Sequence, residues 1–296
     1  MQIFVTGGSG FLGRRVVPLL VGHGHDVWAL ARSDEAARTV TAMGAIPVHG
    51  DLDDPASLDD AFSCTPADAL VNLASLGFGH APAIVAAAEE HGLRRALFVS
   101  TTSIFTRLPA RSRQVRVAAE QVVQASALDW TIVRPTMIYG GPDDRNMARL
   151  LRLVRRTPLV PVPGGGDALQ QPVHADDLAS AIVTALVSPV TIGRVYNLAG
   201  PEPLTLRRVI EEAAAAVGHR VRVVAVPLAP AITVVRLYER LATRPRLRAE
   251  QLERLEEDKA FDITAARRDL GFDPRPFAIG IAQEAALLAP PTRMRP

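Results

Sequence analysis

Three glycines near the beginning of the chain have the spacing of a phosphate-binding turn. Gly7, Gly10 and Gly13 follow a short apolar run and lead into an apolar helical pattern. Glycine permits a tight bend, lets backbone N–H groups approach a pyrophosphate and lets the helix pack closely on the strand. The strand and helix patterns on either side favour a dinucleotide site over an ordinary loop. The residues expected to contact the dinucleotide here are Thr6, Gly7, Gly10, Phe11, Leu12 and Gly13.

A basic residue follows the second predicted strand, at the position that selects between the two nicotinamide dinucleotides. An acidic residue there would bind the ribose 2′-hydroxyl of NAD, whereas an arginine pairs with the 2′-phosphate of NADP. The chain has Arg32 at this position, and Arg14 is near the glycine turn. The sequence therefore predicts NADP(H) as the cofactor, with NAD(H) as the less favoured alternative.

Polar residues also follow the next three predicted strands, where ligands collect in open α/β sheets. Asp51, followed by Leu52, could hydrogen-bond the adenine amino group, or it could cap the next helix. Asn72 and Ala74 end the fourth strand. Thr101 belongs to a hydroxyl cluster after the fifth strand, which could hold a substrate carbonyl or alcohol, or could provide only turn residues. We expect Asp51, Leu52, Asn72 and Ala74 to contact the cofactor.

Strand and helix patterns alternate through the first half of the chain. The predicted strands are residues 2–6, 26–31, 45–48, 69–72, 96–100 and 131–133. This alternation predicts an α/β fold with a Rossmann-like, doubly wound, mainly parallel sheet. The alternation loosens afterwards, and residues 158–166 resemble a proline and glycine loop. We expect a dinucleotide-binding domain at 1–145, to which 176–198 return, and a smaller substrate-binding lobe formed by 146–175 and 199–296.

Composition narrows the class of protein. The 296 residues are 48% hydrophobic and 22% charged, which is typical of a globular chain. The net charge is only +2, the basic residues are dispersed, and Lys259 is the sole lysine, so nucleic acid is not an expected partner. Cys64 is the single cysteine, which favours a reducing compartment and argues against a metal site.

The apolar runs are too short to predict a membrane span. The longest uncharged apolar run, residues 223–235, contains two prolines and is shorter than the roughly 20 residues that a spanning helix needs. The first strand pattern begins at once, without the pattern of a signal peptide. We therefore expect a cytoplasmic monomer or homodimer that binds a small-molecule substrate and has no membrane partner.

Four segments resemble the short-chain dehydrogenase/reductase superfamily, in its extended and atypical branches with the sugar-nucleotide epimerases and dehydratases. They are TGGSGFLG at 6–13, RP and IYG within 134–140, VHADDLA at 173–179 and LGFDP at 270–274. The resemblance covers most of the chain. It implies a nicotinamide dinucleotide bound at the glycine turn, with Pro135 and the residue at position 116 among its contacts.

The catalytic signature of that superfamily is altered in this chain. The superfamily uses a Ser or Thr together with a Tyr and a Lys spaced Y-x-x-x-K, and the resemblance puts Thr101 at the first position, Ser112 at the second and Arg116 at the third. Arg116 can hold a ribose hydroxyl but stays charged, and a serine hydroxyl is a weak acid at neutral pH. The usual proton relay therefore cannot form.

Another proton donor would have to replace the relay. Tyr139, His80, His174 and substrate-bound water are the candidates, and Tyr139 joins Thr101 in the predicted catalytic set. Tyr139 ends the turn after the sixth strand, and His80 lies in a glycine-rich loop after the fourth.

Two functions remain open. The first is an atypical NADP(H)-dependent oxidoreductase or epimerase, acting on a small carbonyl or hydroxyl compound or a nucleotide-sugar-like substrate. The second is a nucleotide-binding regulator, or an accessory subunit of a larger assembly such as respiratory complex I. Loss of the Tyr–Lys pair favours the second function, and a sizeable C-terminal lobe favours the first. We expect an enzyme.

Overall fold

The six strands predicted in the first half of the chain are present, with bounds within two residues of the predicted ones. The computed structural model describes residues 1–108, 111–144, 146–242 and 249–288. The strands are β1 Gln2–Thr6, β2 Asp26–Ala31, β3 Ile46–His49, β4 Ala69–Asn72, β5 Arg95–Val99, β6 Asp129–Pro135, β7 Ile138–Tyr139, β8 Leu159–Pro163, β9 Leu169–Gln170, β10 Val173–His174, β11 Arg194–Leu198, β12 Leu204–Thr205 and β13 Arg222–Val226. Short 3₁₀ turns lie at Leu76–Phe78, Thr102–Phe105 and Pro189–Thr191.

The helices follow the same chain order, and several begin at capping side chains. They are α1 Gly13–Gly22, α2 Asp34–Thr41, α3 Pro55–Ser63, α4 Ala81–Glu90, α5 Arg111–Ala125, α6 Met147–Val154, α7 Ala175–Val187, α8 Leu206–Ala216, α9 Leu228–Leu241, α10 Ala249–Glu253, α11 Thr264–Leu270 and α12 Phe277–Leu287. Ser33, Asp54 and Thr205 cap α2, α3 and α8 by accepting backbone N–H groups. Asp176 and Asp177 lie in the first turn of α7, at its positive end.

Contacts divide the chain into two units. The first contains Met1–Thr136, Ala175–Leu198 and Asp262–Asp273, and the second contains Met137–His174, Ala199–Phe261 and Pro274–Pro296. This division differs from the expected one at Ala175, which falls in the first unit, and in two longer stretches. Residues 137–145 belong to the second unit because β7 pairs with β10, and Asp262–Asp273 belongs to the first because α11 packs on β11 and α7.

The first unit is built on a seven-stranded parallel sheet, which confirms the predicted Rossmann-like fold. Its order is β11-β6-β5-β4-β1-β2-β3. The strand order reverses at β1, so the crevice beside the carboxyl end of β1 is the topological switch point where such sheets bind ligands. Ile3, Phe4 and Val5 of β1 are fully buried, as expected for a central strand covered on both faces.

The second unit consists of short strand pairs and helices. Its pairs are β7 with β10, β8 with β13 and β9 with β12. A core cluster joins β7, α6, α8 and α12 through Tyr139, Met147, Val209, Phe277 and Ile281. No helix among the residues that the structure describes is long and apolar enough to cross a membrane.

The segment expected to be a proline and glycine loop contains a strand instead. Residues 159–163 form β8, which pairs in parallel with β13. Pro161 and Pro163 occupy alternate positions, so their missing N–H groups fall on the same, unpaired edge of a two-stranded sheet. Val160 and Val162 alternate with them and are buried. Edge position thus makes a proline-containing strand possible.

Candidate functional site

The glycine turn between β1 and α1 has no room for side chains. Gly7 has φ +71°, and a Cβ added there would lie 2.8 Å from the backbone N of Ala74. A Cβ on Gly13, the first residue of α1, would overlap the carbonyl oxygen of Gly8. The Gly10 N–H donates to the Gly7 carbonyl at 3.1 Å and closes the turn. This glycine turn fits a pyrophosphate, because bare backbone and the positive end of a ten-residue helix meet there.

Two residues expected to contact the cofactor instead fix the strand ends. The Thr6 hydroxyl donates to Asn72 Oδ1 at 2.5 Å, and Asn72 Nδ2 donates to the Ala74 carbonyl at 3.1 Å. Both Thr6 and Asn72 are fully buried. Their side chains therefore position the glycine turn and the Ala74 backbone, and a cofactor contact by Thr6 or Asn72 stays a prediction.

Arg32 and Asp51 follow the carboxyl ends of β2 and β3, the first and second strands beyond β1 in the sheet order. Arg32 is exposed, which keeps its guanidinium accessible to a phosphate. Asp51 Oδ1 accepts the Asp53 N–H at 3.1 Å, so its carboxylate orders the loop that also contains Leu52. The helix cap is Asp54 rather than Asp51. A contact between Asp51 and adenine stays a prediction.

His80 is held by the same loop. Its Nε2 lies 2.8 Å from Asp53 Oδ1, and its Nδ1 is buried without a hydrogen-bond partner among the described residues. Nε2 thus faces Asp53, and Nδ1 faces the protein interior. This arrangement links the loops after β3 and β4 and does not support His80 as the proton donor.

The hydroxyl cluster after β5 rests on a buried ion pair. Ser100 donates to Glu120 Oε1 at 2.5 Å, and Arg134 Nη2 donates to Glu120 Oε2 at 2.5 Å. Glu120 lies on α5 and is buried, while Arg134 lies on β6. Thr102 donates to the carbonyl of Pro135 at 3.3 Å, and Pro135 is buried. The network fixes the strand end that carries Thr101.

Thr101 and Ser103 provide two further hydroxyls of this cluster. Thr101 is partly exposed, and its Oγ1 accepts the Ser103 N–H at 3.2 Å. The Oγ of Ser103 is buried without a hydrogen-bond partner in the described part of the chain. The Thr101 hydroxyl can therefore donate to an oxygen brought to this strand end, whereas the Ser103 hydroxyl faces the protein interior.

Arg116 packs against the turn after β4. A Cβ added to Gly77 would lie 3.0 Å from Arg116 Nε, so the guanidinium covers that glycine. Ser112 is one turn earlier on α5 and is partly buried. The arrangement places a permanent positive charge at the ligand-binding edge of the sheet, where the resemblance predicted a ribose contact.

Two exposed phenylalanines flank this edge. Phe78 ends the turn after β4 and is 75% exposed, and Phe105 ends the turn after β5 and is 48% exposed. These strands are neighbours, and both turns pack on α5. The Arg134 guanidinium lies 5.2 Å from the Phe105 ring centroid. Sequence reasoning missed both rings, although each follows a strand-end polar cluster by only a few residues.

Tyr139 and His174 lie in the second unit, in its core. Tyr139 is fully buried, with ring centroids 5.2 Å from His174 and 5.1 Å from Phe277. A Cβ added to Gly280 would overlap the Tyr139 hydroxyl, and His174 is also buried. A catalytic role for Tyr139 is not supported, because a phenol packed inside a core cannot reach substrate.

Known proteins resemble this chain in sequence. Residues 7–189 match the model of a family described as NAD(P)H-binding. The chain is similar to 4-hydroxy-2-methyl-3-oxo-4-farnesyl-3,4-dihydroquinoline-1-oxide ketoreductase of Stigmatella aurantiaca, with 29% identity over 316 residues that cover 93% of this chain and 92% of that protein. It is also similar to mitochondrial NADH dehydrogenase (ubiquinone) 1 alpha subcomplex subunit 9 of Arabidopsis thaliana, with 31% identity over 227 residues, covering 70% of this chain and 56% of that protein.

A solved structure shares the fold. UDP-glucose 4-epimerase of Thermotoga maritima, determined with UDP-glucose, superposes with a TM-score of 0.76 and 18% identity, covering 97% of this chain and 98% of that chain. Identity this low extends the likeness to the fold and not to the substrate.

Proposed function

Because the chain belongs to a family described as NAD(P)H-binding, we propose that it is an NADP(H)-dependent reductase of a ketone on a lipophilic molecule. The observation that carries the proposal is the pair of exposed rings, Phe78 and Phe105, beside the strand-end hydroxyls of the dinucleotide-binding sheet. Apolar walls with a few polar groups are typical of sites for apolar ligands.

The glycine turn and Arg32 would hold the cofactor. The N–H groups at the start of α1 bind the pyrophosphate, and the exposed Arg32 pairs with a 2′-phosphate. A bound nicotinamide supplies hydride to the substrate carbonyl carbon. Arg116 supports the ribose through hydrogen bonds that need no proton transfer.

The hydroxyl of Thr101 would hold the substrate oxygen. As the carbonyl carbon accepts hydride, negative charge develops on the oxygen, and a donated hydrogen bond stabilises that charge. Water then gives the oxygen a proton and leaves hydroxide, because Ser112 and Arg116 replace the usual tyrosine and lysine. The reaction thus needs no side chain that changes its protonation state.

The likeness to a ketoreductase supports this substrate class. That relative is named for a substrate with a 3-oxo group and a farnesyl chain, and the similarity runs nearly end to end. A nucleotide sugar has weaker support, because the epimerase likeness is one of fold. Reduction of a ketone is therefore favoured over epimerisation.

Two 3-oxo esters of different chain length test the proposal. We expect NADPH oxidation with methyl 3-oxododecanoate at a kcat/KM at least tenfold higher than with methyl 3-oxobutanoate, because each buried methylene contributes about 0.8 kcal/mol. Phe78→Ala should reduce that ratio, whereas Ile46→Ala, at an exposed apolar residue on β3, should leave it unchanged. Turnover of UDP-glucose but of neither ester would contradict the proposal.

A second function has its own support. The chain is similar to a subunit of a mitochondrial NADH dehydrogenase, and it lacks the Tyr–Lys pair. An accessory nucleotide-binding subunit would bind NADPH tightly and oxidise it with no ketone. Tight binding without turnover across a ketone panel, together with co-purification in a larger assembly, would favour this function.

A further inference from the structure

Lys259, in the second unit, is an exception among the basic residues of the chain. The sequence has 33 lysine and arginine residues, and all the others are arginine. A guanidinium stays protonated, whereas an amine can lose its proton and react as a nucleophile. Lys259 is therefore the one side-chain amine of the chain that can react in this way.

The Lys259 amine is held by two uncharged oxygens. Its Nζ donates to the carbonyl oxygen of Arg254 at 2.6 Å and, over a longer contact of 3.4 Å, to Gln170 Oε1. Neither oxygen belongs to a carboxylate, and all three residues belong to the second unit. An unprotonated amine has two N–H groups and one lone pair. The two acceptors thus match the unprotonated form and leave its lone pair unused.

A buried amide donor lies beside the amine. Gln170 lies on β9 and is 5% exposed, and its Nε2 has no hydrogen-bond partner among the residues that the structure describes. A buried donor without an acceptor is unfavourable. Nε2 and Oε1 belong to one amide group, so the unused donor is next to the oxygen that contacts Lys259. A new oxygen on a group bonded to Nζ would provide its acceptor.

Burial disfavours the charged form of Lys259. Desolvation is the main cause that lowers the pKa of Lys259 below its ordinary value, and the nearby charge of Arg254 also lowers it. The carboxylates of Glu257 and Asp258 act in the opposite direction and offset the shift only in part. More of this amine is therefore uncharged at neutral pH than in an exposed lysine.

We propose that Lys259 is an acylation site that accepts a small acyl group from a thioester. Nζ attacks the acyl carbonyl carbon, a C–N bond forms, the C–S bond breaks, and the thiol leaves with the proton that the amine loses. In the resulting amide, the N–H donates to the Arg254 carbonyl and the new oxygen accepts from Gln170 Nε2. The proposal is independent of the proposed reductase activity.

An amide product accounts for both features of the site. Acylation removes a charge that burial disfavours, and it gives the Gln170 donor an acceptor. The same amine could instead condense with an aldehyde to a Schiff base. That reaction expels the carbonyl oxygen as water and would leave Gln170 Nε2 without an acceptor, so acylation is favoured.

Competition between two lysines in one molecule tests the proposal. Arg222→Lys adds an exposed lysine on β13 of the same unit. The full-length variant is incubated at about pH 7 with S-acetyl-N-acetylcysteamine, a thioester without a nucleotide, and peptide mass mapping follows each site separately from the Met1 amine. We expect Lys259 to be acetylated at least fivefold faster than the introduced lysine, with a smaller advantage at higher pH as the exposed amine also loses its proton. An equal or slower rate at Lys259 would overturn the proposal.

A second substitution tests the role of the buried amide. Gln170→Met, added to Arg222→Lys, keeps a side chain of similar length but removes the donor that stabilises the developing oxyanion. The rate at Lys259 should fall at least threefold, while the rate at the introduced lysine should not change. Gln283→Met, at an exposed glutamine on α12, is the control and should change neither rate. Circular dichroism checks that each variant is folded. An unchanged rate at Lys259 in a folded Gln170→Met variant would overturn the proposed site.

Discussion

At the scale of single residues, position in the core decides which of the predicted site residues can meet a ligand. Thr6 and Asn72 occupy the expected strand ends but hydrogen-bond each other below the surface. Tyr139 follows a strand by a few residues and still lies within the second unit's core. Arg32 and Thr101 retain groups that a ligand could contact.

Arg32 should set the cofactor preference. Arg32→Ala removes a charge-assisted hydrogen bond to the 2′-phosphate, worth about 1.5 to 3 kcal/mol, so NADPH affinity should fall tenfold or more while NADH affinity stays the same. Calorimetric titration of both dinucleotides measures this. Arg38→Ala, at another exposed arginine on α2, is the control and should change neither affinity. An unchanged preference in Arg32→Ala would assign selectivity elsewhere.

Thr101 and Ser112 should differ in their effect on turnover. Thr101→Val removes a hydrogen bond to the developing oxyanion, so kcat should fall on the order of 100-fold. Thr101→Ser keeps the hydroxyl and should retain most activity, which separates the hydrogen bond from packing. Ser112→Ala should leave kcat nearly unchanged, as measured by steady-state NADPH oxidation. A large loss in Ser112→Ala would instead make that serine part of the chemistry.

At the scale of elements, the sequence predicts the central sheet well and the second unit less well. β1, β2 and β4 have the predicted bounds because central parallel strands are continuous apolar runs. The sequence does not predict β8, because prolines are tolerated in a strand only at the edge of a sheet. Which strand lies at an edge depends on its pairing with distant residues, here with β13. The bond between Thr6 and Asn72 joins residues 66 positions apart, which no local pattern encodes.

The junction of β1 and α1 should tolerate no side chain at its last glycine. Gly13→Ala forces a Cβ onto the Gly8 carbonyl, so we expect a loss of about 1 to 3 kcal/mol in stability and weaker binding of NADPH. Gly22→Ala is the matched control, because nothing lies within 4 Å of a Cβ at the other end of the same helix. That control should be neutral or stabilising by up to about 1 kcal/mol. Chemical denaturation and cofactor titration measure both, and similar results for the two variants would contradict the close-packed turn.

At the scale of the whole molecule, hydrogen bonds among Tyr196, Arg268 and Asp269 join α11 to β11, although Tyr196 and Asp269 are 73 positions apart. We call these three residues the ionic clasp. The Tyr196 hydroxyl donates to Asp269 Oδ2 at 2.9 Å, and Arg268 Nε donates to Asp269 Oδ1 at 2.6 Å. The hydrogen bond from Arg268 is the main cause that lowers the pKa of Asp269 from 3.8 to about 2, and burial is the main cause that raises the pKa of Tyr196 from 10.0 to about 12. Both shifts favour the clasped form near neutral pH.

The clasp predicts how stability depends on pH. The Asp269 contribution is complete above its unfolded pKa of 3.8 and is lost as pH falls toward about 2, because the unfolded state takes up the proton first. The Tyr196 contribution is complete below pH 10 and is lost as pH rises through about 12. Thermal midpoints of wild type and Asp269→Asn should differ at pH 6 and converge toward pH 2. Asp60→Asn, at an exposed residue of α3, should track wild type throughout. A constant offset between Asp269→Asn and wild type down to pH 2 would contradict the assignment.

The alternation of the two units along the chain has a consequence for how a cell makes the protein. Each unit is assembled from three separate stretches, and the last stretch of the dinucleotide-binding unit, Asp262–Asp273, is translated only after Ala199–Phe261 of the second unit. Domains usually fold as they leave the ribosome, beginning with the N-terminal one. Here α11 cannot dock on β11 until Ala199–Phe261 has also been synthesised, so that side of β11 stays uncovered during this interval. A nascent chain stalled before residue 262 would expose Tyr196 and its apolar neighbours to chaperones, and the protein's yield in a cell would depend on how quickly translation passes residues 199–273.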